Sequence, residues 1–263
     1  MSTEHHVPTA SELLGPGGAF ELIDTDISGV RLPTFKNAHL HLREYYQAAL
    51  EWADATFYVY EDERYTFADA WQRAERVASA LHELGVRPGD RVGIAMRNYP
   101  EWVWAYMGIT AYGAVTVAMN AWWSGEEMIY GIDDSGLQTI FVDRERLEHL
   151  SPYLDEKDLN VIAVRTPHTS GAGVRTWEEF IDTGDGTLQW PGIDPDDHAM
   201  ILYTSGSTAH PKGAVSSHRA IIHSLLGWEA AAALARAKAG RRQRPREKQP
   251  SMIITVPLFH VRD

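Results

Sequence analysis

The chain has 263 residues, with 24 Lys+Arg against 36 Asp+Glu, a formal net charge of −12 and 44% hydrophobic residues, enough to fill a sizeable core and exclude a disordered chain. An acidic balance argues against general nucleic-acid affinity, because displacing counterions from phosphate needs an excess of Lys and Arg. Zero Cys removes disulfides, thiolate metal sites and a Cys nucleophile.

Met1 to Pro16 carries Glu4, His5 and His6 and no basic stretch followed by an apolar run, so no secretory signal is expected and the default location is the cytoplasm. Residues 1–35 are rich in Gly, Pro and Thr without a sustained period, and 1–40 is expected to be an extension lying on a later body. Phe57–Tyr60 and Arg64–Thr66 flank Glu61-Asp62-Glu63 and predict a small hairpin. Thr66 then caps a predicted helix with apolar positions from Phe67 to Leu84 at steps of three and four, Asp69 completing a capping box and Gly85 closing the helix.

After Pro88-Gly89 the pattern predicts strand Arg91–Met96, helix Pro100–Tyr112, strand Ala114–Ala118, helix Gly125–Asp133 and strand Thr139–Val142. Trp102 to Gly125 is an uncharged run of 24 residues, long enough to span a bilayer, but its spacing changes at Tyr112-Gly113 and reads as buried helix, turn and buried strand. Further on come a strand at Val161–Val164, a short helix at Thr176–Ile181, a turn at Asp194-Pro195-Asp196, and apolar runs Ala199–Tyr203 and Met252–Val256, read as strands, bracketing a helix from about Ala220 to Ala237. Buried strands alternating with helices imply crossover connections: the expected class is α/β, with mostly parallel sheets flanked by helices.

The chemistry concentrates in Tyr203-Thr204-Ser205-Gly206-Ser207-Thr208-Ala209-His210-Pro211-Lys212-Gly213. It leaves a predicted strand and packs four hydroxyl side chains, Gly206 and Lys212 into the nine residues 204–212. Backbone N–H groups and hydroxyls turned to one concave volume, with a cation at the far end, suit a polyphosphate. A Walker loop is excluded at two positions: Pro211 replaces its second Gly, and Gly213 replaces its metal-binding hydroxyl.

This segment resembles the signature loop Tyr-Thr-Ser-Gly-Ser/Thr-Thr-Gly-x-Pro-Lys-Gly of the AMP-forming acyl-activating enzymes, the adenylate-forming family of acyl-CoA synthetases, luciferases and peptide-synthetase adenylation domains. Val256-Pro257-Leu258-Phe259-His260 resembles the family's Pro-Leu-Phe-His segment, and Leu84-Gly85-Val86-Arg87-Pro88-Gly89-Asp90 and Tyr112-Gly113-Ala114-Val115 match its usual wording. Asn120-Ala121-Trp122-Trp123 with Gly125-Glu126-Glu127 is most similar to the branch of fatty-acid and aryl-acid CoA ligases. The resemblance implies that Thr204, Ser205, Gly206, Ser207 and Thr208 cradle the ATP phosphates, that Lys212 adds charge, and that His260 lines the pocket of the substrate carboxylate. It implies ATP with Mg2+, whose protein ligands would lie largely outside this chain, and coenzyme A as co-substrate of an acid-thiol ligase. It also implies that residues 41–263 are part of a large AMP-binding domain, that the small C-terminal domain is absent, and that the chain is a truncated piece inactive alone. Ala209 departs from the family's Gly. Two other readings remain at this stage, a non-catalytic remnant or binding module and a peptide-synthetase adenylation domain.

Other clusters promise less. His39-Leu40-His41 would put two imidazoles on one strand face without a third ligand at zinc-like spacing, so these, His218 and His223 are expected to be ordinary surface histidines, and no metal site is assigned. The acid pairs Glu126-Glu127, Asp133-Asp134, Glu178-Glu179 and Asp196-Asp197 fall mostly near predicted helix ends and are poor acid–base candidates. Seven Lys and Arg from Arg236 to Lys248 read as a solvated loop, with weak contact to an anionic membrane as the alternative.

Overall fold

Alternation of short apolar runs with capped helices builds the expected crossover units in the computed structural model, which describes residues 8–166, 173–204, 211–238 and 251–259. Two compact units result, Met1–Leu40 with Arg219–Ile254 and His41–His218 with Thr255–Asp263.

In the first unit, helix α1 (Ala10–Leu14) precedes strands β1 (Leu22–Ile27) and β2 (Val30–Phe35), which pair antiparallel from Leu22↔Phe35 to Ile27↔Val30. Residues 8–35 therefore hold more structure than an aperiodic extension. Their turn is Ser28-Gly29, with φ of 52° and 82°, the two positive values of a two-residue hairpin turn. Mostly exposed side chains on both strands leave no apolar alternation to read.

The second unit starts with α2 (Leu42–Ala48), the hairpin β3 (Thr56–Tyr60) and β4 (Glu63–Thr66), and α3 (Phe67–Glu83). Its sheet elements follow as β5 (Arg91–Ala95), α4 (Pro100–Tyr112), β6 (Val115–Ala118), α5 (Gly125–Ser135), β7 (Thr139–Asp143), α6 (Arg144–Leu150), β8 (Asn160–Val164), β9 (Val174–Thr176), α7 (Trp177–Ile181), β10 (His198–Thr204) and β11 (Lys212–Ser217). Local chemistry sets these boundaries. Thr66 with Asp69, Ser124 with Glu127 and Thr176 with Glu179 form complete capping boxes, and Gly113, at φ 88°, ends α4 in the left-handed conformation.

The sheet runs β11-β10-β6-β5-β7-β8-β9, every neighbouring pair parallel except β10 with β11. Both faces are covered, which is why its strands read as continuous apolar runs. Val92, Ile94 and Phe141 point to one core with residues of α3, α4 and α7, whereas Ala95, Ile140 and Val142 point to the other with residues of α5 and α6. From β5 the chain steps through α4 to β6 on one side, then returns through α5 to β7 on the other. The adjacent carboxyl ends of β5 and β7 thus border the kind of crevice in which open α/β sheets hold ligands.

Helix α8 (His218–Lys238) leads from β11 into the first unit, where Phe35 stacks on His223 at 5.5 Å. Three expectations are corrected. Met252–Val256 is not a strand: Met252 and Ile253 are 84% and 86% exposed, so the apolar run lacks a sheet to enter. His39–His41 is not a strand either; His41 is buried and caps α2, its Nδ1 accepting the Glu44 amide. His218 is fully buried rather than a surface histidine, and its Nδ1 accepts the Leu42 amide at 3.2 Å.

Candidate functional site

The hydroxyl-rich segment connects two antiparallel strands at the carboxyl end of β10. Thr204 and Lys212 are register partners, both exposed, and the Thr204 hydroxyl donates to the Lys212 carbonyl at 3.4 Å. One residue further in, Tyr203 faces Gly213, where a Cβ would stand 2.9 Å from the Ile201 side chain, so glycine allows the close approach of the two stems. Strand β11 was not expected from the sequence; Lys212–Ser217 is exposed along most of its length and carries little apolar pattern.

Helix α5 grips both stems. The Tyr203 phenol donates to Asp134 Oδ2 at 2.7 Å and lies 3.3 Å from the Gly131 carbonyl, and the Tyr130 phenol donates to the Pro211 carbonyl at 3.2 Å. Tyr130 and Asp134 are four apart and so share a helix face. The Tyr203 ring packs edge-on against Trp123 at 5.3 Å. Burial, reinforced by the bond to Asp134, pushes the Tyr203 phenol well above the usual tyrosine range, so it stays a donor at neutral pH.

A 260 Å³ cleft opens at the carboxyl ends of β5 and β7, with Arg97 and Tyr99 on one side and Asp143 and Arg146 on the other. Its floor is a buried ion pair: Arg146 Nη1 lies 3.1 Å from both Asp143 oxygens, and its Nε donates to the Ala121 carbonyl. Asp143 also accepts the Arg97 and Arg146 amides. Beyond the same end of β5, Asn98 holds the segment before His260: its Nδ2 donates to the Val256 carbonyl at 2.9 Å and its Oδ1 accepts the Leu258 amide at 2.8 Å. Phe259 is buried and meets the Trp122 ring edge-on at 5.4 Å.

Of the residues singled out from the sequence, Thr204 and Lys212 are brought together at the mouth of the loop. Ser205, Gly206, Ser207, Thr208, Ala209 and His260 lie outside the described residues, as does most of the basic run between Arg236 and Lys248. Among the described residues, no three His, Cys, Asp or Glu side chains converge to hold a metal ion, and no helix is long and apolar enough to cross a membrane.

Residues 45–262 match the AMP-binding enzyme family. The chain belongs to that family. It is similar to 4-coumarate–CoA ligase 2 of Oryza sativa subsp. japonica, 32% identical over 199 residues, covering 70% of this chain and 35% of the rice protein. It is also 32% identical over 158 residues to the 3-hydroxybenzoate–CoA/4-hydroxybenzoate–CoA ligase of Thauera aromatica, covering 60% of this chain and 30% of that one. An anthranilate CoA ligase solved with anthranoyl-AMP superposes with a TM-score of 0.64 at 25% identity, over 69% of this chain and 35% of the other. The fold is shared with a long-chain-fatty-acid-CoA ligase of Archaeoglobus fulgidus, TM-score 0.65 at 22% identity, over 81% and 43% of the two chains. The chain spans about a third of the length of the curated relatives it matches.

In this chain of the AMP-binding enzyme family, no sequence motif singled out Asn98, Tyr130 or Asp134. Asp134 was set aside with Asp133 as a helix-end acid, yet it accepts the phenol at the root of the loop. The available signal was helical spacing, which puts Tyr130 and Asp134 on one face; nothing local marked Asn98.

Proposed function

We propose that the chain carries the phosphate-gripping part of an ATP-dependent, AMP-forming acid–CoA ligase acting on an aromatic or fatty acid, within a large adenylation domain that includes residues 41–263. The observation that carries this reading is the loop between Thr204 and Lys212, rooted by α5 at the carboxyl end of a doubly wound sheet in a chain of the AMP-binding family. The aryl-acid CoA ligases among its relatives support an aromatic acid.

In the proposed reaction, the acid's carboxylate attacks the α-phosphorus of ATP, giving acyl-AMP and pyrophosphate. The thiol of coenzyme A then attacks the acyl carbon and displaces AMP. Thr204 to Thr208 supply hydroxyl and amide donors to the departing pyrophosphate, and Lys212 supplies positive charge at the far stem. The hydrogen bonds of α5 to Tyr203 and Pro211 fix where the two stems begin and end. His260 lines the carboxylate pocket.

Two measurements test the proposal: calorimetric titration of the chain with ATP, and acid-dependent ATP–pyrophosphate exchange over a panel of aromatic and fatty acids. ATP binding by the chain is expected, and exchange for at least one acid by a full-length ligase that carries it; the chain itself, about a third of its relatives' length, is expected to show little or none alone. Absence of both refutes the reading.

A further inference from the structure

Residues 251–259 pair with no strand among the described residues, and their side chains pass from exposed, through Thr255, to half-buried at Val256 and buried at Phe259. Where the chain enters the core, its backbone is held by one side chain. Asn98 donates to the carbonyl of Val256 and accepts the amide of Leu258, at 2.9 and 2.8 Å. A carboxamide has a donor and an acceptor on one planar group, and here both are used on a carbonyl and an amide two residues apart. Ala can offer neither, and Asp only the acceptor. Leu258 and Phe259 complete the attachment by packing against the core that contains β5 and α4.

We propose that Asn98 is a positioning residue for the acid pocket: its carboxamide fixes the backbone at Val256 and Leu258, and thereby the point from which the chain continues into His260. The catalytic half of this inference rests on the acid–CoA ligase reading; the clasp itself does not. Asn98 sits three residues beyond β5, at the edge of the β5–β7 crevice, so it ties the segment to the rigid part of the sheet rather than to another loop. A weaker clasp lets residues 256–259 shift, and the acid site loses register while the loop between Thr204 and Lys212 keeps its own attachment to α5.

Hydrogen exchange on the 263-residue chain reads the clasp directly. In Asn98→Ala the Leu258 amide should exchange about five- to tenfold faster, the effect of losing one ordinary hydrogen bond, while the amides of Ile94 and Phe141 keep their protection. In Asn98→Asp, which retains the acceptor, the Leu258 amide should keep the wild-type rate. An unchanged Leu258 rate in Asn98→Ala overturns the clasp. In ATP–pyrophosphate exchange by a full-length ligase that carries the chain, Asn98→Ala should raise the KM for the acid several-fold at unchanged KM for ATP, with Asn98→Asp intermediate. Equal changes in both constants would reduce Asn98 to a structural role and overturn the proposal. If the wild-type full-length ligase supports no exchange with any acid, the ligase reading and the positioning role fall together, and the Leu258 rate in the chain still decides the clasp.

Discussion

Tyr203 and Asp134, 69 residues apart in sequence, are joined by a 2.7 Å hydrogen bond that fixes the last buried residue of β10 to the end of α5. Because Tyr130 on the same helix holds Pro211 on the opposite stem, α5 sets the width of the loop's mouth. Removing the acceptor should loosen one stem only. Asp134→Ala is expected to lower stability by about 1 kcal/mol and weaken ATP binding several-fold, whereas Asp134→Asn, which keeps an acceptor, should stay near wild type. Urea unfolding and calorimetry with ATP check this, and identical behaviour of the two variants would mean that the contact does not root the loop.

Lys212 and His260 should divide their effects between the two substrates. Lys212→Ala removes a charge-assisted contact worth about 1.5–3 kcal/mol and should raise the apparent KM for ATP by about tenfold or more, with a smaller change for the acid. His260→Ala should impair use of the acid instead. Steady-state pyrophosphate-exchange kinetics on a full-length ligase that carries the chain, with each substrate varied in turn, separate the two patterns.

The buried pair of Arg146 and Asp143 bears on stability. Each is at most 3% exposed, and Asp143 also holds two backbone amides beyond β5 and at the start of α6. Arg146→Leu leaves that carboxylate buried without its cation, at an expected cost of about 3 kcal/mol. Denaturant titration measures it. A loss below about 1 kcal/mol, the range of an exposed ion pair, would show that water reaches Asp143.

His218 predicts a pH dependence. Burial, with the nearby charges of His41 and Arg43 and against that of Asp197, lowers its pKa to about 4. Accepting the Leu42 amide at Nδ1 leaves the neutral ring's hydrogen on Nε2, which has no hydrogen-bond partner among the described residues, so a second proton would have to go to Nδ1 and break the bond to Leu42. The folded pKa lies below the unfolded value near 6.5; the neutral histidine therefore contributes its full stability above about pH 6.5, and this is lost as pH falls from there towards 4. Between pH 7 and 5 the loss is about 2 kcal/mol by linkage. Comparing urea unfolding at the two pH values for the wild type and His218→Gln checks it: the variant should lack most of this slope.

Local signals made much of the second unit legible. The capping box of Thr66 and Asp69, the turn glycine at 113 and the buried runs of β5 to β8 depend on neighbours within a few residues, and the chain carries them in its order. The family was legible for the same reason: its signature is one contiguous phrase from Tyr203 to Gly213. The hairpin of β1 and β2 was signalled only by Ser28-Gly29, because strands exposed on both faces carry no alternation.

What only the tertiary structure decided is which residues support that phrase and the segment before His260. Asn98 meets Leu258 across 160 residues, and Asp134 meets Tyr203 across 69. Such pairs arise when crossover connections bring the carboxyl ends of β5 and β10 and one face of α5 into reach, and no periodicity along the chain encodes that distance. The burial of His41 and His218 follows the same rule: a histidine next to a helix start is polar by sequence, and only the packing around it buries it, which at His218 also disfavours the protonated ring.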